Sequence, residues 1–219
     1  IVRKFVALGL SRADVLPNDD VRDGHHGLGI FCAATLPSDT RRFTASHGIR
    51  PDGSPSNRMT PEEAQAMVQD LMEAITGGYT LVTWNGLTLV FPILAKESGL
   101  EAECHELASQ QVDMMFHVYC IKGQYLDLAT AASGMGIPLR STLPVGEDPS
   151  QVWAAGEHKQ ELAHLSERLR TTVDVASSCE DRKVLLWTNK RGGAQGMDLP
   201  AGWLTAPEVA RVKGIDHTQ

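Results

Sequence analysis

The sequence lacks several features that would assign it to a specific class of protein. It has 4 cysteines and no C-x-x-C spacing, so neither a zinc site nor a disulfide framework is indicated, and we expect reduced, buried thiols. No apolar run approaches the roughly 20 residues of a membrane helix, and we expect no membrane association. Basic residues are not in excess: the formal charge of -7 argues against binding nucleic acid by bulk electrostatics, although local basic patches stay open.

What is present is the composition of a globular protein. The 219 residues are 42% hydrophobic and 21% charged, close to the averages for globular chains, and they suffice for one core with small appendages. The apolar part of residues 1–8 is too short for a signal peptide, and no small-residue cleavage site follows. We therefore expect a cytoplasmic protein.

The N-terminal half alternates apolar runs with turn-forming residues, which predicts strands and helices in alternation. Residues 60–63 read T-P-E-E, a capping box with proline at the first helical position, and they predict a helix that ends near Ile75. A second helix is predicted over residues 89–98, as in an α/β sheet. The predicted strands span residues 4–10, 29–36, 41–46 and 80–84, the first three forming an antiparallel meander.

The C-terminal half is predicted to be mainly helical. Residues 157–182 form the longest segment without glycine or proline, and leucines at helical spacing predict one face on the sheet. Residues 136–151 are predicted to be a loop, and residues 205–208 a second capping box. Shorter predicted elements are helices over 115–121 and 126–133 and a hairpin over 184–188 and 197–199. We expect residues 1–183 to form the main domain, with residues 184–219 packed on it as a hairpin and tail.

The segment 81–94, LVTWNGLTLVFPIL, places Asn-Gly after a strand and before an apolar helix that contains proline. With the order of the predicted elements, it resembles the DEDD-type 3'-to-5' exonuclease family of the ribonuclease-H-like superfamily over roughly residues 3–176. The resemblance implies an α/β fold with a mixed sheet, an antiparallel meander plus parallel strands, flanked by helices, with a small C-terminal hairpin extension.

The resemblance also implies where catalytic acids should lie. In that family, four carboxylates hold two divalent cations that activate a water and stabilise the leaving oxygen of a phosphodiester. By alignment, these positions are Gly9, Ser11, Val90 and Arg168, with His164 at the Tyr or His position one turn before the last acid. None of the four is an acid, and a guanidinium would repel a metal ion. We therefore expect no metal cofactor and a protein that has lost two-metal catalysis, and the chemically mixed replacements favour a natural degenerate member over deliberate inactivation.

Other acids leave an alternative open, a working Mg- or Mn-dependent exonuclease with relocated ligands. The candidates are Asp14, Asp113, Asp127, Asp174 and the Asp19-Asp20 pair. Asp113 and Asp127 each precede a predicted helix and are natural N-caps, which favours a structural role. The acids of the loop after the first strand, Asp23 among them, are more simply interpreted as solvated.

Two further spacings are typical of metal ligands, His25-His26 and the Glu161-x-x-His164 pair. Di-metal carboxylate bundles use two Glu-x-x-His pairs, and this chain has one. We therefore interpret Glu161 and His164 as a hydrated helix face with a partly buried histidine.

Two interpretations stay open for the residues nearest the predicted cleft. Arg168 either points into it and pairs with Asp113 or another acid, or points outward into solvent. Trp84, Asn85 and Gly86 are candidate nucleic-acid contacts, because tryptophan stacks on bases and asparagine can bond a phosphate or ribose. They are equally the end of a buried strand and its turn.

The function that these observations favour is that of a pseudo-exonuclease. We expect a binding or scaffold module whose partner is single-stranded nucleic acid or a protein. A third hypothesis is an unrelated activity in the old cleft, which a fold alone does not exclude.

Overall fold

The structure, a computed structural model, describes residues 3–13, 28–139, 143 and 147–212. These residues form a five-stranded mixed sheet in the order β3-β2-β1-β4-β5. Strand β1 pairs antiparallel with β2 and parallel with β4, while β2–β3 is antiparallel and β4–β5 is parallel. The predicted meander is therefore confirmed. The strands are β1 (Phe5–Arg12), β2 (Ile30–Pro37), β3 (Thr44–His47), β4 (Thr80–Thr83) and β5 (Val112–Asp113).

Helices pack on the sheet, and local sequence explains where several begin. At the start of α1, the Glu63 amide donates to Thr60 Oγ1 and the Glu63 carboxylate accepts from the Thr60 amide, as the capping box predicts. None of the helices in the described ranges combines the length and the apolar character that crossing a membrane requires. The helices are α1 (Pro61–Thr76), α2 (Phe91–Ser98), α3 (Glu101–Gln110), α4 (Met114–Lys122), α5 (Leu128–Gly134), α6 (Pro149–Ala154), α7 (His158–Arg182) and α8 (Ala206–Val212).

Strand β1 lies at the centre, and its side chains alternate between two core clusters. Phe5 and Ala7 join the cluster that includes Leu165 of α7, whereas Val6 joins the cluster that includes Leu71 of α1. The first seven of its eight residues are buried, because both faces of the sheet are covered. The predicted α/β class is confirmed, a ribonuclease-H-like mixed sheet flanked by helices.

Three elements differ from the prediction. Helix α3 was not expected: only Cys104 and Leu107 are buried, and no side chain caps its start. Helix α6 lies inside the predicted loop, although Asp148 caps it and Pro149 takes its first position. The helix expected from residue 89 begins at Phe91, after a single π-helical turn, Gly86–Val90.

The predicted C-terminal hairpin is also confirmed, with longer strands than expected. Strands β6 (Val184–Thr188) and β7 (Ala194–Asp198) are antiparallel, and Trp187 and Met197 join the core cluster that contains α7. The predicted second capping box is half formed, because Thr205 donates its amide and its hydroxyl to the Glu208 carboxylate. The division into residues 1–183 and 184–219 stays a prediction.

Candidate functional site

The candidate site is a cleft of about 390 Å³ between helix α7 and the π-helical turn that follows strand β4. Its walls come from distant parts of the chain, which the parallel β1–β4 pairing brings to one edge of the sheet. We call this site the Arg168 cleft. Its lining residues include Trp84, Asn85, Val90, Leu128, His164 and Arg168.

Three of the four aligned acid positions meet at this cleft, together with His164 at the Tyr or His position. Val90, His164 and Arg168 line the cleft, and Gly9 lies beneath the Arg168 side chain. A Cβ built on Gly9 would lie 3.7 Å from Arg168 Nη2 and 2.9 Å from Leu169 Cδ2. The guanidinium therefore lies over the central strand, and the outward orientation is wrong. An acid at residue 9 would need space that α7 now occupies.

The fourth aligned position, Ser11, is not a wall of the cleft but is buried beside it. Ser11 Oγ donates a hydrogen bond of 2.6 Å to Glu161 Oε1, and the two residues are 5% and 0% exposed. The interpretation of Glu161 as part of a hydrated face is therefore wrong. Its other oxygen, Oε2, is buried without a hydrogen-bond partner among the described residues. Burial raises the pKa of Glu161, against the lowering effects of the Ser11 hydroxyl and the Arg168 charge.

Arg168 is a partly buried cation whose positive charge is only partly balanced by the charge of Glu161. Burial lowers the pKa of its guanidinium, and the negative charge of Glu161 acts in the opposite direction. Within the described ranges, the structure gives the guanidinium no hydrogen-bond acceptor. The pKa values of Arg168 and Glu161 both shift towards their neutral forms, which means that desolvation outweighs their attraction. Arginine stays protonated under physiological conditions, so the cleft keeps a positive charge whose N–H donors have no acceptor within the described ranges.

His164 contributes a polar edge to the same wall. Its Nδ1 atom is buried and has no hydrogen-bond partner among the described residues. Burial, followed by the charge of Arg168, lowers the pKa of His164 below 6.5. The ring is therefore neutral near pH 7, with one nitrogen able to donate and the other able to accept.

Asp113 is the N-cap that the sequence predicts and does not reach Arg168. Its Oδ1 accepts from the amides of Asn85 and Phe116, each at 3.1 Å, and its Oδ2 accepts from the amide of Leu87 at 2.9 Å. Burial raises the pKa of Asp113, and these amides act against that rise. Of the two partners left open for Arg168, Asp113 or another acid, the structure favours the second: Asp113 joins α4 to the turn after β4, and Glu161 supplies the charge near the guanidinium.

The remaining fallback acids do not assemble a cation site in the described part of the chain. Asp127 caps α5 by accepting from the amide and hydroxyl of Thr130, and Asp174 forms an ion pair of 2.7 Å with Arg41. No group of three or more His, Cys, Asp or Glu side chains within the described ranges could hold a metal ion. Gly, Val and Arg in the cleft supply no anionic oxygen, so the aligned positions do not fit a pair of divalent cations. Asp14, Asp19, Asp20, Asp23, His25 and His26 lie outside the described residues.

The three predicted nucleic-acid contacts take different positions. Trp84 and Asn85 line the cleft, and the Trp84 indole Nε1 donates to the Leu126 carbonyl at 3.0 Å. Asn85 is left-handed, with φ of 71°, and its side-chain oxygen accepts from the Thr88 hydroxyl. Gly86 is buried and does not line the cleft, and a Cβ at this position would overlap the side chains of Thr83 and Gln111. Two of the three residues therefore line the cleft.

Sequence reasoning missed the most deeply buried charge beside the cleft, Glu161. A signal was present, because residue 161 lies one turn before Leu165 and two turns before Leu169, on the stripe that α7 buries. The helical spacing places Glu161 on the sheet-facing side, where a carboxylate needs a hydrogen-bond donor. Ser11, on the facing strand, is that donor.

Comparison with known proteins supports the fold alone. No protein-family model matches the chain, and no curated protein matches it. Among solved structures, the family B DNA polymerase of the archaeon Pyrobaculum calidifontis is similar over 81% of this chain, with 15% identity and a TM-score of 0.53. The match covers 24% of the polymerase, so the chain spans about a quarter of that protein. A product-bound exonuclease I is similar over 98% of this chain and 69% of its own, with 7% identity and a TM-score of 0.47.

Proposed function

We propose that this chain is an exonuclease-like domain that binds single-stranded nucleic acid in the Arg168 cleft without two-metal hydrolysis. The observation that carries the proposal is the guanidinium of Arg168, which lies over Gly9 with no hydrogen-bond acceptor within the described ranges. A partly desolvated cation of this kind is best compensated by an anionic ligand. Arginine suits a phosphate in particular, because its planar fork matches two phosphate oxygens.

The other walls suit the rest of a nucleotide. Trp84 offers an indole whose N–H is already satisfied, which leaves its ring for stacking on a base. His164 offers a neutral imidazole whose buried nitrogen has no hydrogen-bond partner among the described residues. A phosphate and a base therefore each have a complementary group in the cleft.

The absence of carboxylates from the walls supports binding without hydrolysis. Two close divalent cations require several anionic oxygens, and the wall positions carry valine, histidine and arginine instead. Glu161 is the acid whose charge acts on Arg168, but it is fully buried and bonded to Ser11. The alternative, a Mg- or Mn-dependent exonuclease with relocated acids, predicts metal-dependent binding and release of nucleotides.

The test is the affinity of purified protein for a fluorescein-labelled oligothymidylate in EDTA, measured by fluorescence anisotropy. We expect saturable binding, and Arg168→Gln should weaken it about 10- to 100-fold, because hydrogen bonds to charged groups contribute about 1.5–3 kcal/mol. Arg168→Lys should give an intermediate affinity, since lysine keeps the charge but loses the planar fork.

The matched control is Arg41→Gln, which removes a guanidinium whose partner is Asp174, outside the cleft. This variant should bind like the wild type. Equal affinities of the wild type and Arg168→Gln would contradict the proposal. Failure of the wild type to bind the oligonucleotide would favour a protein partner instead.

A further inference from the structure

Two exposed tyrosines form a stacked pair at the end of helix α4. The ring centroids of Tyr119 and Tyr125 are 4.6 Å apart and their planes are inclined by 20°. The residues are 42% and 71% exposed, which leaves one face of the Tyr125 ring open to solvent. Neither phenol oxygen takes part in a hydrogen bond within the described residues. The pair is therefore an ordered aromatic surface that the fold itself does not use for its core.

Backbone geometry fixes this pair. Helix α4 ends at Gly123, whose left-handed φ of 69° turns the chain back and whose amide donates to the Tyr119 carbonyl at 2.8 Å. Tyr125 thus returns over the last turn of the helix and stacks on Tyr119. Because the rings are held together before any ligand arrives, little side-chain entropy is lost when a third ring stacks on them.

The pair is close in sequence to residues at the Arg168 cleft. The residue after Tyr125 is Leu126, whose carbonyl accepts from the Trp84 indole, and Leu128 is a wall of the cleft. Leu128 is three positions after Tyr125, a span of at most about 11 Å for an extended chain. A short single strand with one nucleotide in the cleft therefore has the tyrosine pair within reach of a neighbouring base.

The local charge suits the same ligand. Lys122 lies in the last turn of α4, between the two tyrosines in sequence, and is exposed. Asp127 is the nearby acid along the chain, and its two oxygens accept from Thr130 at the start of α5. A cation next to open aromatic faces is the combination that binds single strands, where the cation meets the phosphate and the ring meets the base.

We propose that Tyr119 and Tyr125 form a second base-binding site, which stacks on a nucleobase of the single strand held in the Arg168 cleft. This proposal rests on the proposed function of the cleft and adds to it a site of more than one nucleotide. The outer face of Tyr125 stacks on the base, Tyr119 supports the Tyr125 ring from behind, and Lys122 faces the backbone phosphate. Stacking on a ring is tolerant of base identity, so the site favours single strands without selecting a sequence.

The experiment compares two ligands that differ in length. An oligothymidylate of about ten nucleotides, within the range that one single-strand-binding fold covers, reaches both sites, whereas thymidine 5'-monophosphate has no neighbouring base to reach the pair. Tyr125→Ala should weaken binding of the longer ligand on the order of tenfold and leave the affinity for the mononucleotide unchanged. Tyr125→Phe should bind both ligands like the wild type, because it keeps the ring and removes only the unbonded hydroxyl. Ile49→Ala is the matched control, an exposed apolar side chain remote in sequence from both sites.

A second readout reports stacking directly. An oligonucleotide that carries 5-iodouracil should form a photochemical adduct at Tyr125 in the wild type, located by mass spectrometry of the digested protein. The adduct should persist in Ile49→Ala. Circular dichroism and thermal melting of Tyr125→Ala should match the wild type, since the side chain is largely exposed.

The outcomes separate the two proposals. If Tyr125→Ala binds the longer ligand like the wild type while Arg168→Gln loses affinity, the second site is overturned and the cleft proposal stands. If Tyr125→Ala weakens binding of thymidine 5'-monophosphate as much as binding of the longer ligand, the residue acts through the structure of the cleft and the second site is again overturned. If the wild type binds neither ligand, both proposals fail.

Discussion

Arg168 and Glu161 show how two opposite charges can lie near each other without forming a strong pair. Each is shifted towards its neutral form because desolvation costs more than their mutual attraction returns. The Ser11 hydroxyl compensates one oxygen of Glu161, and no protein group within the described ranges accepts a hydrogen bond from the guanidinium. Such an arrangement stabilises the empty protein poorly. It is the kind of site that an anion would complete.

The buried Glu161 predicts a pH dependence of stability. Because its pKa is raised in the folded state, its contribution to stability is full below the unfolded pKa near 4.5 and is lost as the pH rises through the folded pKa. Glu161→Gln removes this ionisation. The melting temperature of the variant relative to the wild type should therefore increase from pH 4 to pH 8, as measured by calorimetry.

Ser11→Ala supplies a second arm of the same measurement. It removes a hydrogen bond that lowers the pKa of Glu161. In this variant the loss of stability with rising pH should therefore continue to a higher pH than in the wild type. A constant difference in melting temperature between Glu161→Gln and the wild type across this pH range would show that the carboxyl does not titrate as its burial implies.

At the residue scale, the sequence predicts positions better than environments. The alignment brought Gly9, Val90, His164 and Arg168 to one place, as the structure finds. It did not predict that Glu161 is buried against Ser11, because residues 11 and 161 are 150 positions apart and nothing local links them. The stacking of Tyr119 on Tyr125 likewise depends on the turn at Gly123, which sequence periodicity does not describe.

At the scale of elements, the two aspartate caps differ in how many backbone amides they serve. Asp127 caps α5 alone, whereas buried Asp113 also fixes the turn at Asn85 and Leu87. The Asp113 contacts therefore tie helix α4 to the segment that forms one wall of the cleft. A residue with three amide donors is poorly available as a metal ligand.

We expect replacement of each cap by alanine to lower the free energy of unfolding of the protein by a different amount. Asp127→Ala should cost about 1 kcal/mol, the usual value for a lost N-cap. Asp113→Ala should cost at least about 2 kcal/mol, because it leaves several buried amides without an acceptor. Urea unfolding measures both. A small cost for Asp113→Ala together with lost manganese binding would support the relocated-acid alternative instead.

Capping residues predicted the start of α1, whereas the start of α6, which Asp148 caps, was missed inside a predicted loop. Thr60 to Glu63 carries both halves of its box and begins α1 as expected. Helix α3 has no side-chain cap and buries few residues, so its periodicity is weak. The π-helical turn before α2 was also missed; it begins at Gly86, where an added Cβ would overlap the side chains of Thr83 and Gln111.

At the scale of the whole molecule, the order of the elements was the most predictive property of the sequence. The alternation of strands and helices predicted an α/β sheet with an antiparallel meander, because connected strands and the helices between them allow few arrangements. The resemblance implied the mixed sheet, and the turn residues 190–193 predicted the C-terminal hairpin. The same order does not predict function, since one fold carries many activities. The formal charge of -7 also limits how the molecule can hold a polyanion.

That charge predicts a shallow dependence of binding on salt. For single strands, the slope of log affinity against log salt is about -0.7 for each phosphate neutralised. With Arg168 and Lys122 as the cationic contacts, we expect a slope of about -0.7 to -1.4 for the oligothymidylate. Anisotropy titrations at several salt concentrations give this value. A slope steeper than about -4 would indicate a broad basic surface and contradict this prediction.

Binding of a single strand without metal-dependent hydrolysis is tested by a titration of single-stranded oligothymidylate in EDTA and in excess manganese, with the products separated by gel. We expect the same dissociation constant in both conditions and no release of nucleotides. Binding that requires manganese, accompanied by progressive shortening of the oligonucleotide that Asp113→Asn abolishes, would contradict it.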